Sequence, residues 1–190
     1  MHGSRDGFEE GVCEQLVSSA GGVLDQCEGL IRAMPEGVFG AESRAIRGGT
    51  FGKHLRHTLD HFHAALAVVG MIGPDPDSED VIDYDHRRRN TPIENDKHLA
   101  LDAIDELRIR LAGAASEGLC RPVRVRVMID GDGAEVELAS TLGRELAFAT
   151  HHAVHHMAMM KAIAQEFGVE ADDAFGKAPS TVHAERGRAA

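Results

Sequence analysis

Apolar residues recur at helical spacing through four long stretches of this 190-residue chain, and glycine and proline punctuate the gaps between them. The first stretch, Gly11 to Met34, stops before Pro35 and is weakened by Gly21 and Gly22. Thr50 is placed to cap a second helix that runs to about Gly70, where "GPDPDSED" ends it with two prolines and several turn formers. Pro92 and Glu94 open a third over "IENDKHLALDAIDELRIRLAGAA", and Ser140 or Thr141 caps a fourth that runs to about Phe167, with Glu145 in the place of a capping-box acid.

One stretch breaks the helical period. After Pro122, "VRVRVMI" alternates strictly, "DGDG" supplies residues tolerant of positive φ, and "AEVELAS" alternates again, which predicts a small β-hairpin. "VIDYDHRRRNTP" reads as a polar, irregular loop, and the Gly-, Ala- and Asp-rich end as an extended tail. The expected architecture is therefore all-α: an antiparallel four-helix bundle with the hairpin inserted before the last helix, one domain over residues 1–170 and an extended tail over 171–190.

Histidine is the compositional outlier. Of 12 histidines, four fall between Thr50 and His63 and four between Thr150 and His156. At about 100° per residue, His152 and His156 fall inside the apolar face of the fourth helix with Leu142, Leu146, Ala149, Ala153 and Met160, while His151 and His155 fall at its polar margin. A pair at i and i+4 projects two imidazoles from one side of a helix, a spacing that suits two ligands of one ion. Burying two unpaired imidazoles costs on the order of 2 kcal/mol or more each unless something satisfies them. In the second helix His54 and His61 fall within the apolar arc, His57 lies at its edge and His63 faces water. Periodicity does not choose among His54, His57 and His61.

A net charge of −11, from 31 acidic and 20 basic residues, leaves no broad cationic footprint for nucleic acid or an anionic membrane. The longest apolar run, "AALAVVGMIG", is too short to span a bilayer, and a cytoplasmic protein is expected. Three widely spaced cysteines, Cys13, Cys27 and Cys120, suggest neither a disulfide framework nor a thiolate metal site and read as buried small hydrophobes. Nothing resembles a phosphate loop or a nucleophile triad.

The stretches "TFGKHLRH" and "HAVHH" resemble the DinB/YfiT-like superfamily of metal-binding four-helix bundles, which carry a helix-two histidine and an "HxxHH" motif on the last helix. The resemblance extends over roughly Gly11 to Phe167. It implies a metal site of His57, His152 and His156 holding a divalent ion (zinc, iron or nickel), with an open coordination position where a thiol or water is activated for transfer to a small-molecule substrate, and a low-molecular-weight thiol as a candidate partner. The alternative it implies is a non-catalytic, stress-response metal-binding bundle, and either way a homodimer. His61 would be a fourth ligand or nearby base. A Tyr-Asp-x-Arg-x-Arg stretch in similar proteins corresponds to Tyr84, Asp85, Arg87 and Arg89, which would line the mouth of the site. Glu145, two turns from His152, suits a substrate or network role.

Overall fold

Thr50 ends the glycine-rich connection in an extended conformation, and its hydroxyl accepts from Lys53 N, satisfying one of the orphan donors of the helix that follows. That helix, α2 (Phe51–Leu66), buries Phe51, Leu55, Leu59, Phe62, Ala65 and Leu66 along one stripe. Burying a side chain of this size stabilises by about 1.5–3 kcal/mol, so the stripe decides which face turns inward. The computed structural model describes residues 3–70, 81–87 and 90–189, without the side chains of residues 3–10, 116, 117 and 189. The proline-rich segment expected to end the second helix lies outside the described residues.

Around α2 stand α1 (Gly3–Ala33), α3 (Lys97–Glu117) and α4 (Leu142–Glu166). α2 packs most extensively on α4, and α1 packs on α3 and α4. Asp96 caps α3 by accepting from His98 N and Leu99 N, so the helix begins there, and Pro92–Glu94 forms a separate 3-10 turn. Thr141 caps α4 by accepting from Arg144 N.

The all-α expectation is corrected by a three-stranded mixed sheet. The predicted hairpin is present as β2 (Pro122–Met128) and β3 (Glu135–Thr141), paired antiparallel with Val125 opposite Leu138. Its turn is tied by Asp130, whose carboxylate accepts from Asp132 N and Ala134 N, and by Gly133 at φ 90°. The third strand, β1 (Val81–Asp83), lies in the segment read as an irregular loop and runs parallel to β2, with Ile82 opposite Val125. Ile82 is fully buried and Val123 and Val125 nearly so, which pins this face of the sheet to the helical core.

The end of the chain departs from an extended tail as well. Phe175 is buried, and a fifth helix, α5 (Pro179–Ala189), follows it. Gly176 at φ 74° lies so close to the Ala158 backbone that a side chain there would collide, so this segment docks on α4. Cys27 is buried, as expected, and burial pushes its thiol up to about 12, whereas Cys120 is exposed. No helix among the described residues is long and apolar enough to cross a membrane.

Candidate functional site

The packing of α2 on α4 brings three histidines together. His57 from α2 and His152 and His156 from α4 each offer a ring nitrogen, and these atoms lie within 4.8 Å of one another. His57 Nε2 stands 3.0 Å from His152 Nε2, and the rings of His57 and His156 meet edge-on with centroids 4.4 Å apart. His151 and His155 are exposed, in keeping with the angular reading of α4.

The other candidates on α2 take different places. His54 turns its Nδ1 to Nδ1 of His156 at 3.1 Å and so sits behind the cluster. His61 is buried, and its Nδ1 donates to the His57 carbonyl at 3.0 Å. Its ring stacks on His152 at 3.9 Å on one side and on Tyr84 at 5.2 Å on the other. His63, expected to face water, is partly buried, and burial lowers its pKa.

The electrostatics keep the three imidazoles neutral. Burial, then the Arg87 guanidinium and the neighbouring imidazoles, pulls His57 down to about 2. Burial and the neighbouring histidines take His156 to about 3, and burial, with His61, His155 and Arg87, takes His152 to about 4. Each ring therefore has one lone-pair nitrogen at neutral pH, the form in which imidazole binds a metal.

Arg87 contacts His57 Nδ1 directly, and it is the end of a chain of charges. Asp60 lies 3.9 Å from Arg87 and 3.7 Å from Arg56, and Arg56 lies 3.2 Å from buried Glu94. Burial raises the Asp60 pKa against both cations. Sequence reasoning missed Asp60, Arg56 and Glu94, although Arg56 and Asp60 are an i, i+4 pair of opposite charge. A guanidinium donates and cannot accept, so its contact places a lone pair on His57 Nδ1 and the proton on Nε2. A neutral ring that gives Nε2 to an ion holds its proton on Nδ1, so ion binding there and the Arg87 contact exclude each other.

A second group of polar residues gathers beside His61. Glu145 is fully buried, yet its carboxylate accepts from Ser140 Oγ at 2.6 Å, Arg144 at 2.7 Å and the Tyr84 hydroxyl at 2.9 Å. Burial and then Glu145 itself hold the Tyr84 phenol well above its usual range. Tyr84, Glu145 and His61 line a cavity of about 500 Å³, with Asp85 and Arg144 at its wall and Val125, Val127, Leu138 and Phe148 on its apolar side. Arg89 lies outside the described residues.

Fold and site together define a helical α+β protein with an imidazole cluster beside a ligand-sized cavity. No family model matches the chain, and no solved structure matches it. The chain is similar to a curated protein of Rhizopus delemar, FK506-binding protein 5, with 37% identity over 103 residues, 54% of this chain and 27% of that protein. The chain thus spans about a quarter of the length of the relative it matches. This comparison overturns the DinB/YfiT resemblance: the matched relative bears a different family name. "HxxHH" is a pattern short enough for any histidine-rich amphipathic helix to carry. The four-helix-bundle transferase, the transfer of a thiol or water to a small substrate, and the alternative of a non-catalytic stress-response bundle all fall with it.

Proposed function

We propose that the chain holds one divalent metal ion, zinc, iron or nickel, on His57, His152 and His156. The observation that carries this reading is the convergence of three histidine ring nitrogens within 4.8 Å of one another. The 3.0 Å between His57 Nε2 and His152 Nε2 is a separation that two adjacent ligands of one ion can span at about 2.1 Å each. His54 behind His156 Nδ1 supplies the outer hydrogen bond that orients a ligand ring. Arg87 is the feature that must yield, and Asp60 is at hand to receive it. The test is competition with a chromophoric chelator for zinc, ferrous iron and nickel, using untagged protein. One equivalent of at least one of these ions withheld from the chelator supports the reading, and none withheld removes it.

A second reading takes its support from the Rhizopus relative, whose name describes a protein that binds FK506. On this reading the shared segment carries affinity for that ligand. Calorimetric titration with FK506 decides it: saturable binding supports the reading, and its absence at solubility-limited concentration removes it.

A further inference from the structure

The cavity beside the histidines can be read for the ligand it would take from its hydrogen-bond inventory. Its volume, about 500 Å³, lies within the range of roughly 300–1,000 Å³ typical of small-molecule sites. A hydroxyl carries one proton. Tyr84 spends its proton on Glu145 Oε2 and Ser140 spends its own on Oε1, so both present only lone pairs to a ligand. The Asp85 carboxylate accepts from Met128 N at 2.7 Å and has further acceptor capacity. His61 commits its Nδ1 proton to the His57 carbonyl, so that proton is not offered to a ligand.

Charge points the same way. Among the described residues, Asp85 and Glu145 face one lining guanidinium, that of Arg144, which is engaged with Glu145 and lies 5.7 Å over the Phe148 ring. The polar wall is thus rich in acceptors and net negative, and the opposite wall is apolar. A ligand that satisfies both brings protons and positive charge at one end and apolar surface at the other.

We propose that this cavity binds a primary ammonium with an apolar body, its head against Asp85 and the Tyr84 and Ser140 oxygens, its body against Val127, Leu138 and Phe148. The site is independent of any ion on the histidines, and it is tested on protein stripped with a chelator.

The experiment is calorimetric titration of the stripped, untagged protein at about pH 7.5 with two probes of like size, 2-phenylethylammonium and 3-phenylpropanoate. The ammonium is expected to bind one per chain and at least about tenfold more tightly than the carboxylate. Asp85→Asn should weaken it at least about fivefold. Leu138→Trp, at a half-exposed strand position whose larger side chain fills the cavity, should abolish it. If Asp85→Asn fails to fold, Leu138→Trp still decides. No ammonium binding at millimolar concentration, carboxylate binding as tight as ammonium, or binding undiminished in folded Leu138→Trp each overturns the proposal.

Discussion

Replacing Tyr84, the residue that follows β1, by phenylalanine removes the hydroxyl that donates to Glu145 at 2.9 Å. The carboxylate is fully buried and ionised acceptors gain most from each donor, about 1.5–3 kcal/mol for a hydrogen bond to a charged group. Ser140 and Arg144 stay in place at 2.6 and 2.7 Å, so Glu145 is left short of one donor rather than bare. The expected cost is accordingly at the lower end, about 1.5–2 kcal/mol. For a chain of this length that is a fall in melting temperature of roughly 3–8 °C. The assay is urea unfolding followed by circular dichroism, run for wild type, Tyr84→Phe, Glu145→Gln and the double variant. In the Glu145→Gln background the loss of the hydroxyl should cost less, about 0.5–1 kcal/mol, because a neutral acceptor gains less from each donor than a charged one. Tyr84→Phe indistinguishable from wild type, or equal costs in the two backgrounds, would show that the buried carboxylate does not depend on Tyr84.

Arg87→Met should tighten ion binding about tenfold in chelator competition, since about 1.5 kcal/mol of guanidinium hydrogen bond no longer opposes it; unchanged or weaker binding contradicts the exclusion argued for Arg87 and His57. Ion-free protein should lose stability as pH falls from about 6.5 towards about 4. His57, His152 and His156 have pKa values depressed in the folded state, so below the ordinary value the unfolded chain takes up protons that the folded chain refuses. Denaturant unfolding across that window checks it, and a variant with all three changed to glutamine should show a flatter profile. Gly52→Ala should destabilise by about 1–3 kcal/mol or more, because a methyl there meets the Glu94 carbonyl and the Phe39 ring; thermal unfolding at the wild-type midpoint would refute that packing.

How much of this was legible in the sequence depended on whether the signal was local. Thr50 and Thr141 cap α2 and α4 with their own hydroxyls, and the alternation on either side of "DGDG" encodes a hairpin whose partners are close in sequence. β1 has three residues and pairs in parallel with a strand some forty positions later, so no local period announces it. The last helix was hidden by Gly176, which reads as a breaker and serves as the close approach that docks the segment. On α4 a count of about 100° per residue separated His152 and His156 from His151 and His155. On α2 the same count could not rank His54, His57 and His61, because all three rings do turn towards α4. What separates them is which partner each ring nitrogen meets: His156, His152 or a backbone carbonyl. The family resemblance rested on short histidine motifs, and motifs of that length are carried by chance more readily than a segment of 103 aligned residues.

The most direct test of the histidine cluster is the metal content of untagged protein, measured by elemental analysis after loading and exhaustive dialysis, for wild type and for His57→Ala, His152→Ala, His156→Ala and His151→Ala. The arrangement predicts one ion per chain in wild type and in His151→Ala, and close to none in the other three, since each removes one of three ligand nitrogens. An ion-free wild type, or a full equivalent retained by His57→Ala, His152→Ala and His156→Ala alike, would contradict it.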